Sequence, residues 1–258
     1  MTLTGQIALV TGASRGLGRA IATRLAQQGA AVCINYRSQE DAARRLVDEL
    51  SNSGARAIAI RSDIGDSKQV EQMVRQIADE LGPVSILVNN AGVIFRATLE
   101  TFDAGAMEQM RRTNVDGLIH VTRAVVPHMK ERRYGRIVNL SSIAGHGTAL
   151  PGNAFYAATK AAVSVLTKRF AMELGTHGIT VNAVAPGFIL TDMATEGRND
   201  EEVEGIVKTI AGRSMVGRVG KPDDIAHAVA FLAAPESGFI TAQVLTVDGG
   251  RMDYISHA

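Results

Sequence analysis

The chain has 258 residues, of which 46% are hydrophobic and 21% charged, with a formal net charge of +1. That length and composition suit one α/β domain with its own core and argue against a disordered chain. The balanced charge, with no long like-charge block, sets aside nucleic-acid binding through bulk electrostatics. The one cysteine, Cys33, has no partner for an intramolecular disulfide. It lies in the apolar run Ala30-Ala31-Val32-Cys33-Ile34, where it reads as a small buried hydrophobe in a reducing compartment. Residues 1–10 lack the basic and apolar blocks of a signal peptide, and no run of about 18 apolar residues predicts a membrane span. A cytoplasmic protein with no membrane partner is expected.

The first apolar strand covers residues 7–11 and leads into a helix over 15–28, with Leu17, Ile21 and Leu25 on one face and Gly29 as its stop. Strands follow at 31–36, 57–60 and 86–89, separated by helices over 40–53 and 67–81. One long helix covers 106–132, ahead of a strand at 136–140. The remainder reads as helix 155–174, strand 180–184, helix 222–234 opened by Pro222, and strand 243–247. Buried strands alternating with helices predict successive βαβ units, hence a single α/β domain: a doubly wound, parallel, seven-stranded sheet with helices on both faces. Residues 191–219 break the alternation with Gly, Asp, Glu and Arg. They stand beyond the sixth strand, where ligands of such sheets sit, and read as a substrate lid.

The first strand runs into Thr11-Gly12-Ala13-Ser14-Arg15-Gly16-Leu17-Gly18. Glycine lets the chain turn tightly and lets backbone approach a pyrophosphate, with the following helix N-terminus aimed at it. The spacing is G-x-x-x-G-x-G rather than the general dinucleotide fingerprint. The second strand ends at Tyr36-Arg37, where an NAD-preferring site carries an acid for the ribose 2′-hydroxyl. With no carboxylate there, and with Arg15 able to approach the same region, a 2′-phosphate is favoured. NADP(H) is therefore the preferred cofactor, with NAD(H) the alternative.

Tyr156 and Lys160 are four residues apart at the start of a helix, on one face. A phenol with a pKa of about 10 is a poor acid–base group near neutrality, and a nearby ammonium lowers that value. Ser141-Ser142 end the fifth strand. Asn114 falls inside the long helix, where it could also be a polar packing or bending residue.

Taken together these residues resemble the short-chain dehydrogenase/reductase family over essentially the whole chain. The resemblance is carried by the glycine turn, Asp63, Asn89-Asn90-Ala91-Gly92, Asn114, Ser142, Tyr156 with Lys160, Pro186-Gly187 and Asp248-Gly249-Gly250. It implies a Rossmann-like fold. It also implies that Tyr156 donates or accepts the substrate proton, that Ser142 hydrogen-bonds the carbonyl oxygen, and that Lys160 lowers the phenol pKa and holds the nicotinamide ribose. Asn114 would support a water that relays protons to Lys160. The cofactor contacts implied are Gly12, Ser14, Arg15, Gly16, Leu17 and Gly18 at the phosphates, and Tyr36, Arg37, Asp63 and Ile64 at the adenine end. Asn90, Ala91 and Gly92 would follow along the ribose, with Tyr156, Lys160, Pro186, Gly187, Ile189 and Thr191 at the nicotinamide. Asn89 would stabilise the sheet and Asp248-Gly249-Gly250 would be structural; no metal site is implied. Ser142 and Tyr156 are 14 positions apart, one more than the resemblance leads one to expect, which predicts a bulged loop over 143–155.

Within the family, residues 185–193 and 217–226 resemble 3-oxoacyl-[acyl-carrier-protein] reductases and recur in polyol, sugar and xenobiotic alcohol dehydrogenases. Arg133 matches a basic position that meets the acidic carrier protein. His177 stands where the second would be, and Phe155 replaces a polar residue before the tyrosine, so a carrier-protein partner stays open. Ile94, Phe95, Phe155, Phe188 and Met193 could form an apolar substrate pocket or ordinary core. The resemblance implies a ketone–alcohol oxidoreductase and a homotetramer, with the helices over 106–132 and 155–174 pairing across subunits. A non-catalytic dinucleotide-binding sensor or scaffold on the same fold is the alternative of another class. The tail, residues 251–258, could reach a neighbouring subunit or fray.

Overall fold

Seven short strands, β1 (Ile7–Val10), β2 (Ala31–Tyr36), β3 (Ala57–Arg61), β4 (Ile86–Asn89), β5 (Gly135–Leu140), β6 (Ile179–Pro186) and β7 (Val244–Val247), form one sheet in the order β3-β2-β1-β4-β5-β6-β7. Every neighbouring pair is parallel. The structure is a computed structural model describing residues 2–148, 150–195, 197 and 199–254.

Side chains alternate across the pleat, so each strand feeds two cores. Ala8, Val10, Val32, Ile34, Ile86 and Val88 face α1 (Gly16–Gln27), α2 (Glu40–Asn52) and, late in the chain, a helix over Pro222–Ala233. Leu9, Cys33, Leu87 and Ile137 face the opposite layer, which begins with α3 (Ser67–Glu80). Cys33 is fully enclosed there, and burial pushes its thiol far above the ordinary range, leaving it inert.

The expected single helix over 106–132 is a correction. The structure has α4 (Ala104–Arg111), a π-helical turn over Arg112–Asp116, and α5 (Gly117–Arg132). Helix α4 starts two residues earlier because the Asp103 carboxylate accepts from the Ala106 N–H at 2.7 Å. The widened turn holds Asn114, whose carboxamide is bonded outside its own helix; such bulges insert where side-chain partners compete with the regular ladder.

Helix α6 (Ala154–Leu174) covers β6 on the α3 side. Strand β6 extends two residues past the expected end, through Pro186, because both its edges are paired. Beyond it, residues 191–219 carry α7 (Asp192–Thr195) and α8 (Asp200–Gly212), the latter opened by a capping box of Asn199 and Glu202. The closing helix α9 (Pro222–Ala233) packs against α1. Strand order reverses between β1 and β4, each flanked on the other side by a different half of the sheet. The crevice beyond their C-terminal ends is where ligands of such sheets bind.

Candidate active site

The glycine turn and the segment after β4 meet at this switch point and are tied together. Asn90 Nδ2 donates to the carbonyls of Thr11 (2.8 Å) and Gly12 (3.1 Å), while Thr11 Oγ1 accepts from the Asn90 and Ala91 N–H groups. Gly12 and Gly16 have positive φ, +62° and +55°. At Gly18 the constraint is space, since a Cβ there would lie 2.5 Å from both the Gly12 carbonyl oxygen and Asn90 Nδ2. Arg15 precedes α1 without any side-chain cap, so the first-turn N–H groups of α1 point into the crevice free to take an anion.

One cleft of about 410 Å³ runs from this turn along the strand ends. Every expected cofactor residue lines it: Gly12, Ser14, Arg15, Gly16, Leu17, Gly18, Tyr36, Arg37, Asp63, Ile64, Asn90, Ala91, Gly92, Pro186, Gly187, Ile189 and Thr191. At one end stand Arg15, Arg37, Asp63 and Ile64. Asp63 accepts from the Gly65 N–H (2.9 Å) and pairs with Arg112 (3.1 Å), so its charge is compensated and does not oppose the two arginines. Asn35 was missed by the motif reading. Its Oδ1 accepts from the Gly12 N–H at 3.2 Å and its Nδ2 donates to the Ser62 carbonyl at 3.1 Å, which pins the glycine turn to β2 and to the end of β3. A polar residue inside the otherwise apolar β2 was the available signal.

At the other end, Ser142, Tyr156 and Lys160 share the cleft wall. Ser141 and Ser142 point to different sides. Ser141 Oγ donates to the Lys160 carbonyl (2.9 Å) and shares a hydrogen bond with Ser164 (2.8 Å), while Ser142 caps a 3-10 turn over Ile143–His146 and lines the cleft with Tyr156. Asn114 is buried: its Oδ1 accepts from the Val93 N–H (2.8 Å), and its Nδ2 donates to the Val93 carbonyl (2.9 Å) and to Thr159 Oγ1 (3.0 Å). It therefore joins the segment after β4 to the first turns of α6. A Cβ at Gly92 would lie 3.3 Å from Asn114 Oδ1 and 3.4 Å from Lys160 Nζ, so the bare glycine leaves a gap that both polar groups border.

The expected depression of the phenol by Lys160 is corrected. Lys160 Nζ donates to the Leu140 carbonyl at 2.7 Å and lies 5.8 Å from the Tyr156 ring centroid. Burial lowers the ammonium to about 8. Burial also pushes the phenol up to about 12, opposed in part by the neighbouring Ser142 hydroxyl and not by a close cation. Tyr156 therefore keeps its proton at neutral pH.

In the loop over 143–155, Gly147 (φ +89°) and Gly152 (φ +75°) lie in the left-handed region, while Thr148 bridges to Tyr254. Of the expected apolar pocket, Ile94 and Phe188 line the cleft. Phe155 does not; it packs on Phe102 with ring centroids 4.8 Å apart. Phe95 is also outside the lining and partly exposed, and the Met193 side chain lies outside the described residues. Arg133 donates to the Thr176 carbonyl at 3.1 Å, next to His177. The Asp248-Gly249-Gly250 turn is structural: Asp248 accepts from the Gly250 N–H (2.9 Å) and from the Tyr254 hydroxyl (2.6 Å), and the two glycine carbonyls accept from Met215 and Val216. Residues 255–258 of the tail lie outside the described residues.

The sequence model of the family described as "Enoyl-(Acyl carrier protein) reductase" matches residues 12–251. A 3-oxoacyl-[acyl-carrier-protein] reductase of Staphylococcus aureus is 41% identical over 243 residues, covering 94% of this chain and 96% of its own. A solved short-chain dehydrogenase/reductase of Serratia marcescens superposes with a TM-score of 0.89 at 36% identity, over 97% of this chain and 99% of its own. A gluconate 5-dehydrogenase of Burkholderia cenocepacia, solved with NADP and tartrate, superposes with a TM-score of 0.88 at 36% identity, over 96% of this chain and 95% of its own. With a doubly wound sheet, a glycine turn at its switch point and relatives of this similarity along nearly its whole length, the chain belongs to the short-chain dehydrogenase/reductase family of oxidoreductases.

Proposed function

We propose that this oxidoreductase interconverts a ketone and a secondary alcohol using NADP(H). The observation that carries the reading is the presence of Ser142, Tyr156 and Lys160 on the same cleft wall that continues into the glycine turn. Bound NADPH supplies the hydride, and NADP takes it in the reverse direction. Arg15 and Arg37 would bind the 2′-phosphate, the N–H groups of the first turn of α1 would bind the pyrophosphate, and Asp63 and Ile64 would border the adenine. Asn90, Ala91 and Gly92 flank the ribose, and Pro186, Gly187, Ile189 and Thr191 the nicotinamide. NAD(H) fits the same cleft without engaging the arginines, and is the weaker alternative.

In reduction, Ser142 holds the carbonyl oxygen and Tyr156 gives it a proton. Lys160 holds the nicotinamide ribose and refills the phenol with a proton arriving through a water beside Gly92, held by Asn114. In oxidation the same groups run in reverse.

Two substrate classes fit the relatives. A 3-oxoacyl thioester on a carrier protein is supported by the 41% identity to the staphylococcal reductase. Polyol, sugar or xenobiotic alcohols are supported by the likeness to the gluconate enzyme. Helices α7 and α8 form the substrate lid, attached at Gly220 to Leu190 and at Met215 and Val216 to the closing turn. A cytoplasmic site of action accords with the buried, unpaired thiol of Cys33. The test is turnover with NADPH and NADH against acetoacetyl thioesters, simple ketones and sugars. Turnover of at least one class with a preference for NADPH is expected; binding of NADPH with no turnover in either direction would make the chain a sensor or scaffold.

A further inference from the structure

Arg96 lines the cleft at its catalytic end, together with Val93, Ile94, Ser142, Tyr156 and Phe188. Its backbone is anchored to the loop that delivers Tyr156. The neighbouring Ala97 N–H donates to the Gly152 carbonyl at 3.0 Å, and a Cβ at Gly152 would sit 3.6 Å from the Arg96 Cβ. The Arg96 backbone is therefore tied to Gly152, four residues ahead of Tyr156 in the chain, and Arg96 lines the same cleft as Tyr156. Among the described residues, no carboxylate or carbonyl pairs with Arg96, whereas Arg111 and Arg112 are both in ion pairs. Asp63 is the one carboxylate among the described residues lining the cleft, and it stands at the adenine end, committed to Arg112. Lys160, the other cation at the catalytic end, is engaged with the Leu140 carbonyl.

The catalytic end thus combines apolar walls with one guanidinium whose donors are all open. A guanidinium presents a planar fork that fits a carboxylate with two parallel hydrogen bonds, and an uncompensated cation in a cleft concentrates anions there. A neutral ketone makes no use of it. We infer that Arg96 binds a carboxylate carried by the substrate itself, so that the enzyme acts on small oxo acids and the corresponding hydroxy acids. The inference rests on the reading of the cleft as a carbonyl-reducing site and names its substrate class. The carboxylate is untouched by the reaction and serves to orient the carbonyl toward Ser142 and Tyr156.

The test uses a graded series of straight-chain oxo acids from acetoacetate upward, each beside its methyl ester and an acetoacetyl thioester, with NADPH. The wild-type enzyme is expected to prefer the best acid over its ester by roughly ten- to a hundredfold in kcat/KM, the scale of a charge-assisted pair, expressed mainly in KM. In Arg96→Gln that preference collapses, and Arg96→Lys restores part of it. NADPH affinity, measured by titration, stays at the wild-type value and shows that the variants are folded. Equal kcat/KM for acid and ester in the wild type, an unchanged preference in Arg96→Gln, or turnover of the thioester alone would overturn the inference and leave carbonyl reduction standing. No turnover of any carbonyl would overturn both.

Discussion

At the end of the cleft proposed for the adenine ribose, Arg15 and Arg37 line the wall and no carboxylate stands at the end of β2. Arg37 is replaceable without disturbing the core, since it lies exposed just past β2. Arg37→Asp turns attraction to a 2′-phosphate into repulsion and is expected to weaken NADPH much more than NADH in binding titrations. Equal changes in the two affinities would remove Arg37 from the site. At the catalytic end, the proposed mechanism makes the pH profile follow Lys160. Its value is lowered by burial to about 8, so the ammonium is charged below that pH and lost above it, whereas the phenol near 12 keeps its proton throughout. Carbonyl reduction at saturating substrate is expected to hold on the acid side and fall as pH rises through the Lys160 value. In Lys160→Arg, a slower enzyme whose cation does not titrate, that fall should vanish. A wild-type profile flat well past that pH would contradict the assignment. Motif residues such as Tyr156, Lys160 and Ser142 were legible because their spacing and flanks are local. Asn35 and Arg96 were not, because what distinguishes them is a neighbour distant in sequence: Gly12 for the first, Gly152 and the cleft wall for the second.

The turn between β1 and α1 depends on glycine for two separate reasons, left-handed backbone at Gly12 and Gly16 and bare space at Gly18. Gly18→Ala places a methyl 2.5 Å from the Gly12 carbonyl and Asn90 Nδ2 and 2.8 Å from Ala13 Cα, so backbone must move. A loss of about 1–3 kcal/mol is expected, the usual cost of overpacking, together with weaker NADPH binding. An unchanged Tm and an unchanged NADPH affinity would show that the turn is not held as described. Strand and helix positions followed from apolar periodicity to within two residues at nearly every boundary, because buried parallel strands leave continuous apolar runs. The break at Arg112–Asp116 did not, because a helical period says nothing about an asparagine bonded to another element. The loop over 143–155 was expected to bulge from its length alone, but its tie to Tyr254 joins segments that no local pattern connects.

Across the whole molecule, two apolar cores grip the sheet from opposite sides and leave the strand ends to form the cleft. Packing of a single chain does not cover every apolar side chain. On α6, Val165 and Met172 remain 60% and 64% exposed, on faces other than the one set against the sheet. Such residues fit helix pairing between subunits, and light scattering is expected to give four times the 27.3 kDa chain mass. A stable monomer at micromolar concentration would contradict the homotetramer.

The central claim is that the cleft performs acid–base chemistry at a carbonyl, with Tyr156 as the proton donor. Its most direct test is Tyr156→Phe, which keeps the ring and removes the proton, assayed for NADPH-dependent carbonyl reduction beside an NADPH titration. Turnover is expected to fall by at least about a hundredfold while NADPH affinity changes little. Near-wild-type turnover in that variant would contradict the claim.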